Sequence, residues 1–180
     1  MPLWNIVLSG YPGSGKTKLA QRLVSDNRDF VRLNVDELRA MYFGESGPSE
    51  EEDFVYDSIA TLRDATLGSR RSVVIDTTAP NNDMRGFLLG TRIRNVTRLL
   101  VLMLVERSVL EERNRRRQFT GAVDAWDKAW QNPSKTMPVM KFRNSSPAEF
   151  ETSYYILTDL LASKVHPFKP RFFTHIYPRM

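Results

Sequence analysis

The chain has 180 residues and a mass of 20.8 kDa, 41% of it hydrophobic and 26% charged, which is enough apolar material for a packed core and excludes a disordered chain. It holds no cysteine, so disulfide scaffolds, thiolate zinc sites and cysteine nucleophiles are excluded, and its two histidines, His166 and His175, come too late to build a metal site in the body of the chain. Lys and Arg exceed Asp and Glu by five, and the longest apolar run, the seven residues Leu99 to Val105, is far short of the roughly 20 that a bilayer needs.

In chain order, Leu3 to Ser9 is a short apolar run that meets glycines at once and reads as a buried strand. Leu19, Ala20 and Leu23 share one face of a helix over 16–26. Residues 30–33 form a second strand, and Asn34 three residues before Glu37 starts a helix over 35–42. Ser49 to Glu52 is a capping box, opening a helix to about residue 68 with Val55, Ile59, Leu62 and Thr66 facing inward. Ser72 to Asp76 is a β-branched strand, a loop with Pro80 follows, and a helix spans 83–93. Residues 97–105 make the most apolar strand. Ser108 to Glu111 is a second capping box, opening an arginine-rich helix, and Ser146-Pro147-Ala148-Glu149 is a third, opening a helix to about 163. The stretch 132–145 has no clear pattern, and residues 171–177 read as a last strand at an edge. Strands alternating with helices imply an α/β fold, a parallel sheet flanked by helices in one domain over 1–180.

Gly10-Tyr11-Pro12-Gly13-Ser14-Gly15-Lys16-Thr17 matches G-x-x-x-x-G-K-[ST], between a strand and a helix as the motif requires. Its glycines let backbone N–H groups curl around a phosphate at a helix N-terminus. Lys16 is placed to reach the β- and γ-phosphates, and the Thr17 hydroxyl to ligate Mg²⁺, which makes ATP with Mg²⁺ the expected cofactor pair.

Three further features bear on the use of that nucleotide. Asp36 follows the second strand, so its carboxylate faces the same rim and can take a proton from an attacking hydroxyl; Arg39, one turn on, can hold an anionic acceptor. The alternative is a helix-terminal charge and a solvated arginine. Asp76 closes an apolar strand and is the expected companion of the loop at Mg²⁺, or else a simple strand-end acid. Arg113, Arg116 and Arg117 share one helical face, which fits a lid over the phosphates across about 107–131, or a basic stripe for nucleic acid. Charge is uneven as well: residues 36–64 hold nine acids against two bases, and 85–117 hold nine arginines against three acids. The segment 146–180 ends in a basic tail, where Phe168, Phe172, Phe173 and Tyr177 fit either base stacking or core packing.

Four blocks, GYPGSGKT at 10–17, LNVDELR at 33–39, VVIDTTAPNNDMR at 73–85 and ERNRRR at 112–117, resemble the polynucleotide-kinase branch of P-loop kinases in order and spacing. The resemblance implies a general base at Asp36, an acceptor-phosphate contact at Arg39, ATP-phosphate contact at Arg117, and Arg113 near the base or the lid hinge. It extends to zeta-toxin-like sugar-nucleotide kinases, aminoacyl-tRNA kinases and phage kinases of 5-hydroxymethyl pyrimidines in DNA. The third block departs from the family, reading Asp76-Thr77-Thr78 where Asp-Thr-Asn is usual. The expected activity is transfer of the ATP γ-phosphate to a hydroxyl on nucleic acid, with DNA favoured over RNA. A small-molecule kinase and a nucleotide switch without transfer are the alternatives. With no secretory signal at the N-terminus, the expected location is cytoplasmic, the host cytoplasm for a phage protein. Oligomeric state stays open.

Overall fold

A computed structural model describes residues 2–44, 50–118 and 121–163. The elements in order are β1 (Leu3–Ser9), α1 (Lys16–Asp26), β2 (Phe30–Asn34), α2 (Val35–Phe43), α3 (Glu52–Gly68), β3 (Ser72–Asp76), α4 (Asn82–Leu89), β4 (Val96–Leu104), α5 (Arg107–Arg116), α6 (Ala122–Asp127), β5 (Val139–Arg143) and α7 (Pro147–Ala162). The five strands form one parallel sheet in the order β2-β3-β1-β4-β5. The expected α/β architecture is therefore the one found.

Period-two alternation splits the core into two layers. Trp4, Ile6 and Leu8 of β1 pack with α1 and α7, through Leu19, Leu23, Phe150 and Leu157. Val7 points the other way, with Val35, Leu38, Val55, Ile59 and Leu88 of α2, α3 and α4. Because every strand runs the same way, β1, β2 and β3 deliver their last residues to one rim, with Leu8 and Asn34 both in register with Asp76.

Caps fix where the helices begin. The Asn34 side chain accepts from Glu37 N–H at 2.7 Å. Ser146 accepts from Glu149 N–H at 3.2 Å, while the Glu149 carboxylate reaches back to Ser145 N–H at 2.7 Å. Elsewhere the expectations need correction. Helix α5 begins at Arg107 with Glu106 as its cap, so Ser108 lies inside the helix and its capping box is not formed. Helix α4 stops at Leu89, where Gly90 takes an extended conformation; residues 90–95 are loop. Helix α3 buries Val55, Ile59, Arg63 and Leu67, and leaves Leu62 exposed and Thr66 half-buried. Arg63 displaces the leucine because its guanidinium donates to the Phe87 and Leu88 carbonyls at the end of α4. The fifth strand is Val139–Arg143, inside the stretch that had no pattern. Ser49, the strand expected at 171–177, the basic aromatic tail and both histidines lie outside the described residues.

Candidate active site

The loop 10–17 joins β1 to α1 and is shaped from outside by side chains of distant elements. Asn114 of α5 donates to the Pro12 carbonyl at 2.9 Å, Arg113 to the Gly13 carbonyl at 3.2 Å, and Asn144, just after β5, to the Ser14 carbonyl at 2.7 Å. Arg113 also donates to the Asn144 carbonyl at 2.9 Å. In a trans peptide the C=O and the following N–H point in opposite directions. Holding these carbonyls outward therefore turns the N–H groups of Gly13, Ser14 and Gly15 the other way, although Ser14 N–H closes a turn onto Tyr11 O at 3.1 Å. Gly13 and Gly15 have φ of 81° and 90°. A Cβ on Gly13 would come within 2.9 Å of the Asn114 amide nitrogen, and one on Gly15 within 2.3 Å of the Asn144 nitrogen. Both conformation and close approach thus require glycine.

Lys16 opens α1 and folds its ammonium back over the loop, donating to the Gly10 and Tyr11 carbonyls at 2.8 and 2.9 Å. Burial pushes its pKa down from 10.5 to about 8, against the attraction of Asp76 and Asp36; Arg117 adds repulsion. Groups from the end of β3, the start of α2 and the end of α5 therefore all act on this one ammonium.

Asp76 is 2% exposed at the end of β3. Its Oδ2 accepts from Arg32 at 2.9 and 3.1 Å and from Asn34 at 2.8 Å. Asp36, in the first turn of α2, has a side chain 68% exposed and pairs with Arg39 at 2.5 Å. Arg39 itself is buried and held in a two-pronged pair by Glu52 of α3, at 2.6 and 2.8 Å. Asp36 and Arg39 are thus brought together as an ion pair, with Glu52 as a further partner of Arg39. The Thr17 hydroxyl is exposed on the first turn of α1.

On the lid helix the arginines separate. Arg115 and Arg116 turn outward and pair with Glu112. Arg113 faces the loop, its pKa lowered by burial and by the Arg117 charge. Arg117 is exposed at the helix C-terminus.

A loop after β3 completes the rim. Thr78 O accepts from Gly10 N–H at 3.1 Å, and Ala79, buried with φ 39°, offers its carbonyl to Ser9 Oγ at 2.9 Å. A non-glycine residue held there is strained and needs surrounding contacts to persist. Arg85 supplies them. Fully buried, it donates to Ala79 O at 2.8 Å, Pro80 O at 2.9 Å, Ser9 Oγ at 3.1 Å and Gln131 O at 2.6 Å. Burial lowers its pKa to about 10, still a cation at neutral pH. Its guanidinium lies 4.8 Å from the ring centre of Trp130, which stacks on Tyr11 at 4.5 Å. The segment after α6 is thereby fastened over the phosphate loop.

Sequence reasoning missed Asn114, Asn144, Arg85 and Trp130 as parts of this rim. Asn114 sat within a quoted block, but its arginine neighbours carried the visible charge signal. Asn144 follows a strand with no periodic signature.

Among the described residues no cluster of three acidic, histidine or cysteine groups is placed to hold a metal. A single hydroxyl and a single carboxylate, Thr17 and Asp76, are nonetheless the donor set that suits Mg²⁺, which keeps several waters and takes phosphate oxygens for the rest.

A parallel sheet of this order with a phosphate loop after its central strand defines a P-loop protein of the kinase type. The AAA domain family matches residues 6–139, and the chain belongs to that family. Among solved structures it is similar to a gluconokinase from Sinorhizobium meliloti 1021, at 18% identity over 87% of this chain and 94% of that one, with a TM-score of 0.60. It is similar to the APS kinase CysC of Mycobacterium tuberculosis in complex with AMPPNP and APS, at 19% identity over 91% and 100%, with a TM-score of 0.64. A chain of the Pnkp1/Rnl/Hen1 complex matches at 26% identity and a TM-score of 0.57, over 62% of this chain and 39% of that one. No curated protein matches the sequence.

Proposed function

We infer that residues 1–180 form one kinase domain that transfers the γ-phosphate of ATP to a hydroxyl carried by nucleic acid, DNA in preference to RNA. The observation that supports this best is the convergence on Lys16 of Asp36, Asp76 and Arg117, contributed by three separate elements. A nucleotide switch needs the loop but not an acid and an arginine within electrostatic reach of its lysine. The four sequence blocks and the likeness to a chain of the Pnkp1 complex favour a polynucleotide acceptor.

In this reading the N–H groups of the loop and Lys16 hold the ATP phosphates. Thr17 and Asp76 would hold Mg²⁺, which supplies neutralisation of charge on the phosphate oxygens. The acceptor oxygen bonds to the γ-phosphorus as the bond from that phosphorus to the β–γ bridging oxygen breaks. The hydroxyl proton passes to Asp36, and ADP leaves. Arg39 orients an acceptor phosphate from its seat between Asp36 and Glu52. Arg113 fixes the loop, and Arg117 balances charge on the moving phosphoryl group.

The excess of acid between 36 and 64 favours a second reading, a compact small-molecule acceptor, because it repels a polyanion near α2 and α3. Incubation with γ-labelled ATP and a panel of 5′-hydroxyl DNA, 5′-hydroxyl RNA, hydroxymethyl-pyrimidine DNA, free nucleosides and sugars separates them. Label in a nucleic acid supports the first reading. Label only in a small molecule replaces it with the second.

A further inference from the structure

Seven described arginines are ion-paired with carboxylates. The described arginines without such a pair fall at the two ends of the sheet. Arg85, Arg113, Arg117 and Arg143 lie at the carboxyl ends of the strands, where phosphates are expected. The other six, Arg28, Arg70, Arg71, Arg92, Arg94 and Arg98, lie at the amino ends.

Their placement follows from the topology. Arg28 sits just before β2, Arg70 and Arg71 just before β3, Arg92 and Arg94 in the loop before β4, and Arg98 is the third residue of β4. All strands are parallel, so these positions share one rim, and β2 to β4 span three strand spacings, about 14 Å. The groups are knit together: Arg71 donates to Arg28 O at 2.7 Å and Arg98 to Thr91 O at 3.2 Å. All but Arg98 are exposed. The loops 27–29, 69–71 and 90–95 hold one acid, Asp29. Of the nearby acids, Asp26 is engaged with Tyr154 and Arg22, and Asp64 is held by Arg63 and by Thr91 of the third loop, where its charge partly offsets Arg98. Arg70 also has φ 63°, a left-handed conformation after α3 that glycine or asparagine would hold at lower cost. Local conformation does not explain an arginine there.

We propose that this amino-end rim binds the phosphate backbone of nucleic acid, at a site separate from the phosphate-transfer rim. Mutual repulsion of six guanidinium groups is relieved when an anion neutralises them, and arginine is the side chain best shaped for phosphate. A 14 Å band meets about four phosphates of one strand at about 3.4 Å of axial rise each. Among the described residues the exposed large apolar side chains, such as Met41, Phe54 and Tyr155, lie outside these loops, so the loops themselves carry no anchor for insertion into a membrane or for a protein hot spot. The seven-residue length of β1, about 23 Å, separates this rim from the loop, so a strand bound here tethers the enzyme to a polymer and leaves the transfer site open. The identity of the anion rests on the nucleic-acid reading above.

The test is fluorescence anisotropy with a labelled 24-base-pair DNA duplex that carries 5′-phosphates and no modified base, titrated from 50 to 300 mM salt, with duplex RNA and phosphatidylserine vesicles as parallel arms. The quadruple variant R70Q/R71Q/R92Q/R94Q is expected to bind duplex at least 10-fold more weakly, with the log–log salt slope reduced by about 3. ADP affinity should be unchanged, which also reports that the variant is folded. The quadruple lysine variant should keep most of the slope, and R92Q/R94Q alone should lose about half of the change. Unaltered duplex binding in the quadruple glutamine variant, absence of wild-type binding at 50 mM salt, or a loss confined to the vesicles would each overturn the proposal. Transfer from labelled ATP is scored separately. Phosphorylation of small molecules only, with arginine-dependent duplex binding intact, removes the nucleic-acid acceptor and leaves the rim.

Discussion

Lys16 carries a charge that burial has made expensive. Its folded pKa of about 8 lies below the ordinary 10.5, so between those values the unfolded chain holds a proton that the folded chain lacks. The nucleotide-free protein should therefore gain stability as pH rises through that window, and bear the full cost of burial below 8. Bound phosphates reverse the preference by favouring the ammonium. ADP should bind several-fold more weakly at pH 9.5 than at pH 7, with proton uptake near pH 8.5 measured by calorimetry in buffers of different ionisation enthalpy. A flat affinity across that range would contradict the assignment. Asp36 is tested by its amide. Asp36→Asn keeps the shape and removes the proton acceptor, so kcat should fall by about 10²–10⁴ while ATP affinity, measured by direct titration, changes little.

Elements, rather than single residues, decide the form of the phosphate loop. Helix α5 reaches it through Arg113 and Asn114, and the turn after β5 reaches it through Asn144. Asn114→Ala leaves the half-buried Pro12 carbonyl without its donor, a loss of about 1–2 kcal/mol. The KM for ATP should rise by about 10-fold, equivalent to about 1.4 kcal/mol, with kcat nearly kept. A fall in kcat at unchanged KM would place Asn114 in the chemistry and not in the support of the loop. The loop itself was legible in sequence because glycines, lysine and threonine at fixed spacing are a local signal. Its bracing was not, because each donor lies 100 or more residues away from the carbonyl that it holds. Helix α3 shows the same limit: its hydrophobic spacing suggested Leu62 inside, but a buried arginine capping another helix turned the face by one residue.

At the scale of the whole molecule, Arg85 ties β1, the loop after β3 and the segment after α6 into one body. Its acceptors come from Ser9, Ala79, Pro80 and Gln131, all neutral. Arg85→Lys keeps the charge but cannot reach these diverging partners, and should lower stability by about 3 kcal/mol in denaturant unfolding. The parallel sheet flanked by helices was readable from alternating strands and helices, but its strand order was not, and β5 escaped because Val139 to Arg143 is short, half-exposed and mixed in character. Only its pairing along β4 makes it a strand.

The stacking of Trp130 between an arginine and a phosphate-loop tyrosine gives this protein a native optical probe. Trp4 is 2% exposed in the core and should stay silent, so changes in indole emission on adding nucleotide would come from Trp130 and from Trp126 of α6, four residues before it. Stopped-flow mixing with ADP would then time the response of this segment to nucleotide without any dye, and the Trp130→Phe variant would separate its signal from that of Trp126.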